Sequence, residues 1–143
     1  MPQGMPMETY EISAAADARA LRPVMLELHE LLYQLPVTAR SRDRRGIRIE
    51  NGRVVDDDYT GPVLEEVLAA NETRRVTPST GTYRGTPVAV VPVRDSTGQA
   101  IAAVGVVDLT GILDLASLME QHGDLARQVR SDGSGGARRG TDI

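Results

Sequence analysis

The chain has 143 residues, 41% hydrophobic and 25% charged, with a formal net charge of -4, which suits one buried core rather than two. It contains no cysteine, tryptophan or phenylalanine, so disulfides, thiolate metal sites and cysteine nucleophiles are excluded and little is left for stacking on nucleic-acid bases. The acidic balance argues against nucleic acid or an anionic membrane as partner, no apolar run reaches the roughly 20 residues of a membrane span, and no secretory leader is visible; a cytoplasmic location is expected.

In chain order, residues 1–10 carry Pro2, Gly4 and Pro6 without apolar periodicity and read as a flexible leader. Leu21, Met25, Leu28, Leu32 and Leu35 then recur at alternating spacings of 4 and 3, which predicts a long helix from about Ser13 to Leu35, stopped by Pro36. Pro23 implies a start near Arg22 or a bend. The apolar stripe would serve either the sheet or a second subunit. Arg40, Arg42, Arg44, Arg45 and Arg48 make a local positive stretch, read as a solvated loop, with phosphate or an acidic partner as the sharper reading.

Ile47-Arg48-Ile49-Glu50 alternates with period two, Asn51-Gly52 suits a type I′ turn, and Arg53-Val54-Val55 returns, which predicts a hairpin. Asp56, Asp57 and Asp58 read as a solvated turn. Thr60 is expected to cap a short helix with Pro62 in its first turn, an apolar face of Val63, Leu64, Val67 and Leu68, and Asn71 at its end. Arg74 to Thr77 predicts a short strand and Pro78 to Gly81 a turn.

The strand predicted from Thr86 to Arg94 is apolar on both faces, Val88 and Val90 on one and Ala89, Val91 and Val93 on the other, so each face needs a cover of helix, ligand or partner. Pro92 marks an edge, a bulge or a local opening. In the next strand Ala100, Ala102, Val104 and Val106 share a face with Asp108, opposite Ile101, Ala103, Gly105 and Val107. Thr110 is expected to cap a C-terminal helix through Ile112, Leu115, Ala116 and Met119, and residues 131–143 read as a disordered tail. The expected organisation is a leader over 1–10, one domain over 11–130, and the tail.

Little in the sequence carries reaction chemistry. His29 and His122 fall on different helices as surface or helix-flank residues, and the Asp56–Asp58 run lacks the alternation of a calcium loop, so no metal is indicated. Gly81 and Gly85 precede a strand rather than open a helix, so they form neither a P-loop nor a dinucleotide fingerprint. No catalytic residue and no cofactor is indicated. Arg84 and Arg94, at the two ends of the first main strand, could pair with a carboxylate, and Asp108 with an amine.

The segments Tyr83-Arg84-Gly85-Thr86-Pro87-Val88, Val91-Pro92-Val93-Arg94-Asp95 and Ala102-Ala103-Val104-Gly105-Val106-Val107-Asp108 resemble the hairpin of single Cache-type sensor domains, relatives of the PAS fold. Leu35 to Ser41, Ile49 to Gly52 and Asp58 to Leu68 resemble an uncharacterised family of small proteins from methane-producing archaea. The Cache likeness implies an α/β (α+β) domain: a five-stranded antiparallel sheet, a long N-terminal helix, and a pocket on one sheet face for small organic acids, amino acids or amines. Tyr83, Arg84, Arg94 and Asp108 are the ligand-binding candidates. The expected function is a cytoplasmic small-molecule-binding or regulatory domain, dimeric through its N-terminal helix; the alternative is a homodimeric scaffold without a small ligand.

Overall fold

A computed structural model describes residues 6–111. The predicted C-terminal helix and the tail lie outside the described residues. Met1–Leu109 form one compact unit and Thr110–Ile143 a second, and every element below belongs to the first. In chain order these are α1 (Ala18–Leu31), β1 (Val37–Ser41), β2 (Gly46–Glu50), β3 (Arg53–Tyr59), α2 (Pro62–Ala70), β4 (Arg74–Val76), β5 (Val88–Arg94) and β6 (Ala100–Val107). The strands form one antiparallel sheet in the order β3-β2-β1-β6-β5-β4.

The sheet therefore has six strands, where five were expected. The additional one is β1, hidden in the sequence because only Val37, Thr38 and Ala39 look like strand before the arginines begin. It is nevertheless central, paired with β2 on one side and β6 on the other. Arg42, Arg44 and Arg45 lie exposed in the loop between β1 and β2, as expected, whereas Arg40 and Arg48 are half-buried on β1 and β2. Arg40 donates to Ser41 O at 2.9 Å, Arg42 O at 3.1 Å and Thr60 Oγ1 at 2.9 Å, Arg42 Nε donates to Ala100 O at 3.0 Å, and Arg45 Nε donates to Asp58 O at 3.1 Å. Each ties one part of the unit to another.

Helix α1 is shorter than its apolar stripe suggests. Asp17 caps it, accepting from Ala20 N at 3.0 Å, and the chain leaves it through Tyr33 and Gln34 in the left-handed region, with φ of 56° and 61°. Pro23 lies inside the helix and forfeits one backbone bond without ending it. Leu21, Met25 and His29 are its buried stripe, while Leu28 and Leu32 pack partly buried against the chain's own sheet. His29, expected at the surface, is only 1% exposed. Its Nδ1 lies 2.7 Å from Leu35 O and its Nε2 accepts from Gly52 N at 2.9 Å. A carbonyl only accepts and a backbone amide only donates, so the ring is the neutral Nδ1–H tautomer, latching the end of α1 to the β2–β3 turn.

That turn has positive φ at Asn51 and Gly52, as type I′ geometry requires. Asp56–Asp58, expected as a turn, continue β3, whose register against β2 slips between Gly46 and Ile49; the acids serve as a charged, irregular sheet edge. Helix α2 starts from Gly61 as its N-cap residue rather than Thr60. Thr60 instead donates to Glu65 Oε2 at 2.7 Å and accepts from Arg40. Asn71 ends α2 in the left-handed conformation expected of it.

The two helices cover opposite faces and opposite halves of the sheet. Val37, Ala39, Ile47 and Ile49 point to α1; Val88, Val90, Ala103 and Val107 point to α2. Along β6 the predicted alternation holds from Ala103 to Val107, but Ala100 joins the α2 side because the β5–β6 register slips between Val93 and Arg94. Strand β5 is buried by α2 on one face only, and on the other Val91 is 41% exposed. Pro92 is an edge residue: β4 pairs with Val88 to Val90 alone, so no strand on that side needs its missing N–H.

Candidate ligand-binding site

On the α2 face, directly opposed residues line up across the sheet as Arg48, Thr38, Gly105, Val90 and Arg74. Gly105 keeps the middle of this row low: a Cβ there would stand 2.8 Å from Val90 Cγ2 and 3.1 Å from Thr38 Oγ1. Over this floor sit Pro62, Val63 and Leu64 of α2, Tyr59 at the end of β3, and Pro78, Thr80, Thr82 and Tyr83 of the loop that joins β4 to β5. The loop is held close by Gly81, at φ 89°, where a Cβ would come 2.8 Å from Pro62 Cδ.

Together they enclose a cavity with about 360 Å³ of empty space including its open mouth, of which about 30 Å³ admits the centre of a water-sized sphere. That is room for at least one water or a compact organic group. Its lining is apolar side chains plus the hydroxyls of threonine and tyrosine, with no Asp, Glu, Arg or His. Thr38 is 6% exposed and lines the floor, with its Oγ1 beside Gly105. A hydroxyl at the floor of an otherwise apolar cavity is where an incoming polar atom can find a hydrogen bond.

Beside the cavity lies a compact charged and aromatic cluster. Arg48 Nη1 donates to Glu50 Oε2 at 2.9 Å, and its guanidinium carbon is 5.8 Å from the Tyr59 ring centre and 6.0 Å from that of Tyr83, within cation–π range. The Tyr83 hydroxyl donates a short bond to the same Glu50 oxygen. Burial pushes the Tyr83 hydroxyl pKa well up, and the Glu50 carboxylate adds to it; burial likewise raises Tyr59, partly offset by Thr82 and Arg48. For Arg48 burial works against the charge, but Tyr83 and Glu50 outweigh it and hold its pKa above the ordinary value. Both phenols are thus neutral at physiological pH, and the only ion pair in the cluster is matched within itself.

Of the four residues singled out in the sequence, Tyr83 lines this cavity. Arg84 is exposed. Arg94 donates from Nε to Asn71 Oδ1 at 2.7 Å and from Nη2 to Asn71 O at 2.9 Å, closing the end of α2. Asp108 is buried at the other end of the hairpin, where its backbone N donates to Pro87 O at 2.9 Å. Seven residues of extended strand separate Pro87 from Arg94, about 23 Å, so Arg94 and Asp108 do not meet around one small molecule. Thr38, Glu50 and Tyr59 were not singled out, and Arg48 only as one of the arginine stretch. The alternation of Ile47 to Glu50 does place Arg48 and Glu50 on one face, but their partner Tyr83 lies 33 residues beyond Glu50. Among the described residues no group of three or more His, Asp or Glu could hold a metal, and no helix is long and apolar enough to cross a membrane.

Residues 28–110 match the model of a protein family described as an uncharacterized protein conserved in archaea, DUF2111. An uncharacterized protein of Methanocaldococcus jannaschii is 41% identical over 99 residues, which cover 69% of this chain and 75% of that relative. No solved structure matches the chain.

Proposed function

We propose that this chain, which belongs to the uncharacterized archaeal family DUF2111, is a small-molecule-binding domain whose site is the α2-face cavity. The observation that carries this reading is the cavity itself, whose floor Gly105 keeps low beside the Thr38 hydroxyl. The likeness of the β5–β6 hairpin to Cache-type sensor domains supports it, since that likeness implies an antiparallel sheet, an N-terminal helix and a pocket on one sheet face. A regulatory role follows from the same likeness, with ligand occupancy as the signal.

A thermal-shift screen over organic acids, amino acids, amines and small uncharged compounds tests the proposal. A ligand at a hundred times its dissociation constant adds about 2.7 kcal/mol, which raises the midpoint by roughly 8 °C for a chain of this size. A Gly105→Val variant that still folds should lose the response. No shift from any class, with unfolding still cooperative, would overturn the reading.

A further inference from the structure

We propose that the ligand of this cavity is a compact uncharged molecule, an apolar body carrying one hydrogen-bonding oxygen such as an amide or ketone, rather than an organic acid or an amine. This rests on the reading of the cavity as a ligand site. Three observations lead to it. The lining has no ionised side chain, so a charge carried onto the floor would shed its hydration without meeting a counter-charge. The nearby charges, Arg48 and Glu50, are spent on each other at 2.9 Å. Two tyrosine rings flank the Arg48 guanidinium, so the place a ligand cation would take between aromatic faces and a carboxylate is already filled by the chain's own arginine.

The same row supplies what an uncharged oxygen needs. Thr38 Oγ1 stands at the floor beside Gly105, where its hydroxyl can donate to a ligand oxygen. An oxygen accepting from Thr38 would leave its apolar carbons over Gly105 and Val90 and against Leu64, where the lining is hydrocarbon. The small volume limits that body to a few carbon atoms.

The test is an NMR titration of the full chain with three compounds of one carbon skeleton: isobutyramide, isobutyrate and isobutylamine. Isobutyramide should shift the backbone amides of Thr38, Gly105 and Val90 at concentrations roughly tenfold below those at which either charged compound does, and Thr38→Val should weaken it by roughly fivefold to tenfold. Equal or tighter binding of isobutyrate or isobutylamine at those amides would overturn the ligand class and leave the cavity as a binding site. If none of the three moves those amides in the folded protein while larger uncharged amides and ketones also fail, both the class and the binding reading are overturned.

Discussion

The two faces of the sheet are built from the same aliphatic residues and reach different ends. On the α1 face, Met25, Val37, Ala39, Ile47 and Ile49 are each at most 1% exposed, and fourteen residues of helix lie over them. On the α2 face the helix has only nine residues, and Val63, Leu68 and Val88 each keep 8% of their surface. The remaining cover is the loop of residues 78–86, fastened by the Tyr83 bond to Glu50. The half of a sheet face that a long helix covers becomes core; the half closed by a short helix and a tethered loop keeps a cavity.

The difference can be broken most directly by removing matched side chains from the two faces. Ile47→Ala should cost about 4 kcal/mol in urea unfolding and Leu64→Ala about 2 kcal/mol, because Leu64 already borders empty space and its removal forfeits fewer contacts. Equal costs would mean that the two faces are packed alike. His29→Ala should cost about 2 kcal/mol by the same measurement, since it strands the buried Leu35 carbonyl and unlatches the turn at Gly52; a cost near zero would show that water replaces both bonds.

A smaller effect should come from the fastening of the loop. Tyr83→Phe should cost about 1 kcal/mol near neutral pH and reduce binding in the cavity it helps enclose. The sign with pH is fixed by the direction of the shift. The folded protein holds the Tyr83 proton more tightly than the unfolded chain, so this contribution is fully present below the ordinary tyrosine value of 10.0 and drains away as the pH rises above it. Wild-type stability should thus fall on the alkaline side more steeply than that of Tyr83→Phe, and the 295 nm absorbance should show Tyr83 still protonated above the ordinary tyrosine value of 10.0. Parallel alkaline curves for the two proteins would contradict the Tyr83–Glu50 bond.

Most elements were legible in the sequence because their signals are local. Asn51-Gly52, Pro62 and Asn71 name the hairpin turn and both ends of α2 by their own backbone preferences, and the period-two pattern from Ala103 to Val107 identifies the faces of β6. Strand β1 was not legible, since its second half, Arg40 and Ser41, is stabilised by partners at Thr60 and Arg44 that only the fold supplies. The end of α1 was hidden for a similar reason: Tyr33 and Gln34 adopt a conformation usually left to glycine, held by the bond from Gln34 N to His29 O at 2.8 Å. Of the site, Tyr83 was visible through a hairpin motif, whereas Thr38 has no sequence signal at all. Its importance comes from facing Gly105 across a strand pair 67 positions apart. Arg94 and Asp108 looked like a pair because they bracket one hairpin, but the ends of a hairpin strand are its most distant points.

The decisive measurement is a crystal structure of the full chain soaked with a chemically mixed set of small fragments. Density for an uncharged fragment lying over Gly105, with an oxygen within hydrogen-bond distance of Thr38 Oγ1 and nothing bound within the α1-face core, is the predicted result. A cavity that stays empty or holds only water while fragments occupy other surfaces of the protein would contradict it.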